Sequence, residues 1–298
     1  MAATPNLEKF HLDGFRISWC WILDPLLVKE EGWRSLRKLV LGPNLRHWPR
    51  PAFAPWTSRF LPPLPSNLQS IEILGSDPEI AYNLFFVAEG QADPDLAPLG
   101  WGPPHQDLPN QNLPNLEVFR CLASIPDPRL LKHVLKPAVQ SGALKVLELG
   151  IATYSGFNML PRPQTADNIW THTDLVPATD LAFAHSDNLH TLGLHQFNFY
   201  HDVSRYGASS EFDGQPFLDW LECFPKLHTV AVYPGNWEGV PAFIMKLILH
   251  PRVKVIHQDN LRGANWEEAM KLAKKHGVEL HHTPKYMPAG WPMIHEEE

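Results

Sequence analysis

The chain is predicted to be an α/β protein of the leucine-rich-repeat solenoid class, with a curved parallel sheet on the concave side and helices and irregular inserts on the convex side. Three observations predict this. The spacing Leu-x-x-Leu-x-Leu, or a close variant of it, recurs at eight places along 298 residues. Several of these segments follow a helix-like stretch closed by glycine. Within the strands, apolar and polar residues alternate, whereas a doubly wound sheet buries both strand faces and reads as continuous apolar runs.

In chain order the strand signatures are LEKFHL from Leu7, LRKLVL from Leu36, LQSIEI from Leu68 and LEVFRC from Leu116, then LKVLEL from Leu144, LHTLGL from Leu189, LHTVAV from Leu227 and VKVIHQ from Val253. Several are introduced by LPSN, LPN or FPK, where proline ends the preceding element and favours an extended approach. The short intervals fall near the upper end of ordinary leucine-rich repeats, about 20 to 29 residues, and the long ones carry inserts.

The helical segments follow the same grammar. Asp24-Pro25 opens LLVKEEG, ending at Gly32, and Asp77-Pro78 opens EIAYNLFFVAEG, ending at Gly90. Asp127 suits an N-cap and Pro128 the first helical position, whose N–H has no partner in any case. Leu130, Leu131, Val134, Leu135, Ala138 and Val139 then share one helical face. Pro137 is expected to kink the last turn and Gly142 to end the helix in a left-handed conformation. Asn265 precedes WEEAMKLAKKHG, which places Glu267 and Glu268 in a first turn, Lys274 and Lys275 in a last turn and Gly277 as the stop; VELHH follows.

With 44% hydrophobic and 19% charged residues the composition is that of a globular protein. The Pro-rich stretches at 42–66 and 90–114 lie between copies of the same strand motif, so they read as inserts in a single domain over 1–298, with 292–298 a solvated tail. A net charge of -7 and a pI near 6.1 argue against a nucleic-acid ligand. Cys20, Cys121 and Cys223 are odd in number and flanked by apolar residues, which favours buried thiols in a reducing compartment. ISWCWILDPLLV is too short to span a bilayer and contains Asp24. A soluble intracellular protein, cytoplasmic or nuclear and without membrane contact, is expected.

The degenerate LxxLxL strands, LLKHVLKPAVQSGALKVLEL and the ending GANWEEAMKLAKKHGVEL together resemble the leucine-rich-repeat region of fungal F-box-type proteins over about the whole chain. The resemblance implies a target-recruiting role beside an F-box that docks onto ubiquitin-ligase subunits. With the first repeat starting near Leu7, no F-box segment precedes it in this chain, so such a module would have to lie upstream of Met1.

On the predicted concave face, the residue between the last two apolar positions of each strand is His11, Val40, Glu72, Arg120, Glu148, Gly193, Ala231 or His257. His11, Glu72, Arg120, Glu148, His195 and His257 are the candidate partner-binding residues there. Glu72, Arg120 and Glu148, on strands about 4.8 Å apart, can form a lateral ion ladder. Two readings stand: self-pairing on a solvated face, or a contact patch for a target. Trp48, Trp56, Trp101 and Trp170, in the inserts, are candidate loop anchors or else pack on their own scaffold.

Catalytic signatures are missing. No G-x-S-x-G, P-loop or G-x-G-x-x-G occurs, and Gly100-Trp101-Gly102 runs into two prolines. His185, His190, His195 and His201 lack HExxH or paired Cys/His spacing. The expectation is a non-catalytic protein-binding scaffold without cofactor or metal, the alternative being a metal-dependent hydrolase that uses the histidines of the 185–201 region.

Overall fold

The computed structural model describes residues 6–13, 34–42, 64–74, 112–124, 128–150, 163–164, 169–170, 186–197, 218, 221–234 and 239–282. Nine strands form one all-parallel sheet: β1 (Lys9–Leu12), β2 (Lys38–Leu41), β3 (Ser70–Ile73), β4 (Val118–Ser124), β5 (Val146–Gly150), β8 (Thr191–Phe197), β9 (Thr229–Pro234), β10 (Val255–Gln258) and β11 (Glu279–His282). They are hydrogen-bonded in chain order, with no reversal of direction or order. β6 (Pro163–Gln164) and β7 (Ile169–Trp170) form a separate antiparallel pair. Three helices are described: α1 (Pro128–Gln140), α2 (Val240–Leu249) and α3 (Gly263–His276).

The alternation expected from the sequence sets the two faces of the sheet. Leu39, Leu41, Ile71, Ile73, Phe119, Cys121, Leu147, Leu149, Leu192, Val230, Val232, Ile256 and Leu280 fall on one face and form a single core. Val134, Leu135 and Ala138 of α1, the apolar stripe of α2, and Ala269 and Ala273 of α3 join the same core. All three described helices therefore pack on the leucine face. In α2 the buried residues are Val240, Phe243, Ile244, Leu247 and Ile248, the i, i+3, i+4, i+7, i+8 spacing of an amphipathic helix. Burying each contributes roughly 1.5–3 kcal/mol relative to leaving it in water.

Five of the strands are approached through a four-residue turn. The N–H groups of Leu68, Leu116, Leu189, Leu227 and Val253 each donate to the carbonyl three residues earlier, on Pro65, Leu113, Ser186, Phe224 and His250. Pro114, Pro225 and Pro251 occupy the second turn position, where a fixed φ favours the bend. Proline thus turns the chain, where the sequence alone suggests extended backbone. Just before the strand motif, Asn67, Asn115 and Asn188 reach back to the carbonyls of Arg34, Ser66 and Gly142 at 2.6, 3.0 and 2.6 Å. Each acceptor lies two residues before the first leucine of the preceding strand motif, so the same stitch joins successive strand segments three times.

Pro128 opens α1 and Pro137 is accommodated inside it. Gly142 has φ 73° and Gly277 φ 68°, the left-handed conformation expected at both helix ends. α3 begins earlier than expected, with Arg262 as N-cap and Gly263 first, so no acidic residue lies in its first turn and Glu267 and Glu268 fall past it. Cys121 is buried as expected but Cys223 is exposed, because it sits in the turn before β9. Asp24, Asp77, Cys20, Asp127 and the segments 25–32 and 78–90 lie outside the described residues. Among the described residues no helix is long and apolar enough to cross a membrane.

Candidate functional site

The second face of the sheet carries the residues that the leucine periodicity leaves over. Register aligns His11, Val40, Glu72, Arg120, Glu148, Gly193, Ala231, His257 and His281 in one row across the nine strands. The first eight are the residues assigned to that row from spacing alone. His281 extends it onto β11.

Glu72, Arg120 and Glu148 do form a lateral ladder, but the solvated-face reading is corrected: their side chains are 1%, 2% and 0% exposed. Arg120 Nη1 donates to Glu72 Oε2 at 2.7 Å, and Arg120 Nε donates to Glu148 Oε2. Lys38 Nζ adds a fourth charge at 2.5 Å from Glu72 Oε1. Among the described residues two cations and two anions meet here and their charges cancel, which is how charged groups persist away from water. Burial alone would lower the pKa of the Arg120 guanidinium, but the charges and hydrogen bonds of Glu148 and Glu72 outweigh it and hold the pKa above its ordinary value. Gly193 makes the arrangement possible, because a Cβ there would lie 2.5 Å from Glu148 Cγ.

Beside the ladder lies a cleft of about 350 Å³ spanning β1 to β5. Its lining includes Lys9, Arg37, Lys38, Ser70, Glu72 and Arg120. Two polar atoms of its lining residues, Arg120 Nη2 and Ser70 Oγ, are buried without a hydrogen-bond partner. Sequence reasoning missed the cleft, since Lys9, Lys38 and Ser70 sit at strand starts, one row from the positions singled out. A period-two reading of both rows would have found them.

The other candidates are dispersed. His11 is exposed on β1 at one edge of the sheet. Near the other edge, His257 stacks on His281, with ring centroids 4.9 Å apart. His282 points oppositely, edge-on to Trp266 of α3. His195 is in register with Gly150 and Tyr233. Trp170 lies in β7, and Trp48, Trp56 and Trp101 lie outside the described residues. His190 stacks on His228 at 5.2 Å, each Nδ1 hydrogen-bonded to the following threonine hydroxyl. His185 and His201 lie outside the described residues, among which no group of three His, Cys, Asp or Glu side chains could hold a metal ion.

No family model, no curated protein and no solved structure matches the chain.

Proposed function

We propose that this chain is a leucine-rich-repeat-type solenoid acting as a non-catalytic scaffold that recognises another protein through the second face of its sheet. The observation that carries this reading is topological. Nine parallel strands are added strictly in chain order while the described helices all pack on the opposite face. In repeat proteins each coil contacts its neighbours only, and the sheet face left free of helices is the usual binding surface. The asparagine stitches between coils agree with this nearest-neighbour construction. A role as the target-selecting arm of an F-box-type ubiquitin ligase rests on the sequence resemblance, and a reading frame encoding an F-box immediately upstream of Met1 would support it.

The test is a charge-reversal scan of the exposed residues on that face, with partner retention read by quantitative pull-down. Lys9, Arg37, Glu279 and His281 are the positions to change. Loss of a reproducibly retained protein in at least one variant, with secondary structure preserved, is expected. Equal retention by every variant would refute the reading.

A further inference from the structure

We propose that the cleft over β1 to β5 seats an acidic side chain of the bound protein, an inference that rests on the scaffold reading and deepens it. Two buried residues of its lining supply the first argument. Arg120 is 2% exposed, yet its Nη2 has no acceptor, and the nearby Ser70 Oγ has none either. Buried donors are rarely left unsatisfied, and each orphan costs free energy that an incoming oxygen would recover. Two orphans on residues that line one cleft favour a ligand rich in acceptors.

Charge selects among such ligands. Lys38, Glu72, Arg120 and Glu148 cancel, and Glu117 on the rim is matched by Lys145 at 2.8 Å. What remains at the mouth is Lys9 and Arg37 against Glu8, all three exposed and, among the described residues, without ion pairs. The cleft is thus locally cationic on a chain whose net charge is -7. A carboxylate accepts several hydrogen bonds at once, and a guanidinium is its best-matched donor. Neither orphaned atom touches water in the unbound chain. A carboxylate seated between Lys9, Arg37 and Lys38 reaches them after a side-chain adjustment of the kind interfaces commonly make.

A fluorescein-labelled decapeptide of alternating Glu and Ser, and its Gln/Ser counterpart, are the probes, titrated by anisotropy at about 50 mM salt where exposed charges are lightly screened. Binding of the Glu peptide is expected to weaken about tenfold in the Lys9→Glu/Arg37→Glu variant and to fall as salt rises, with the Gln peptide at least about tenfold weaker than the Glu peptide. Both substitutions are at exposed positions, and circular dichroism checks that the fold is kept. Equal binding of the two peptides, or an unchanged affinity in the variant, overturns the proposal. Displacement of the Glu peptide by an equal concentration of inorganic phosphate overturns it too, by reassigning the cleft to free anions. Failures separate in the pull-down. If retention responds to Glu279→Lys but not to Lys9→Glu/Arg37→Glu, the cleft assignment alone fails. If no variant alters retention, the scaffold reading fails as well.

Discussion

Replacing Arg120 by Met tests whether the ladder belongs to the interior or to the surface. The guanidinium bridges Glu72 and Glu148, and all three side chains are at most 2% exposed. At an effective dielectric of about 20, two unit charges about 4 Å apart attract by about 4 kcal/mol, and Arg120 takes part in two such contacts. Against these stand the desolvation of Arg120 and the mutual repulsion of the carboxylates. Breaking a buried ion pair by removing one partner typically costs about 3–5 kcal/mol, the loss expected for Arg120→Met at pH 7. Urea unfolding followed by circular dichroism should show a lower midpoint with an unchanged slope. Adding Glu72→Gln and Glu148→Gln should restore more than half of the loss, because neutral partners leave no uncompensated charge. A loss below about 1 kcal/mol is what an exposed ladder would give, and it would refute the reasoning.

Two further outcomes follow from single positions. Gly193→Ala places a methyl group 2.5 Å from Glu148 Cγ on a packed, fully buried side chain, so it should cost about 1–3 kcal/mol in the same urea assay. A neutral result would mean that Glu148 can leave its position freely. His250 is 7% exposed, and its Nδ1 accepts the Arg252 amide at 3.4 Å. Burial, opposed in part by Glu222, lowers its pKa below the ordinary 6.5. Its contribution to stability is therefore present above about pH 6.5 and is lost as pH falls through the lower folded-state value. His250→Gln should flatten the pH dependence of the unfolding midpoint over that window, and an unchanged pH profile would contradict the assignment.

Much of the sheet was legible before any coordinates. A side-chain period of two is a property of the strand itself, so LxxLxL spacing assigned the core face and the row from His11 to His257 without knowledge of the neighbours. Gly142 and Gly277 were legible as helix ends for the same local reason, since only a left-handed residue closes a helix in this way. Two helix readings fell short. VPAFIMKLIL carries its own 3.6-residue stripe, but Gly239 stands at its N-cap, so no capping side chain marks its start. α3 starts at Gly263 because Arg262 is already extended, which no capping side chain in the sequence announces.

From the sequence alone one can thus read which residues turn towards the leucine core, because strand periodicity acts over a few residues, whereas the prolines before the strands read as extended backbone although they make turns. The folded arrangement alone shows that Glu72, Arg120 and Glu148 are buried, that Gly193 makes room for Glu148, that asparagines join neighbouring strand approaches, and that Lys9, Arg37, Lys38 and Ser70 meet around one cleft. Burial and charge pairing are set by residues 28 to 48 positions apart in the chain, brought side by side by strand register. Spacing within one strand carries no information about what lies across from it.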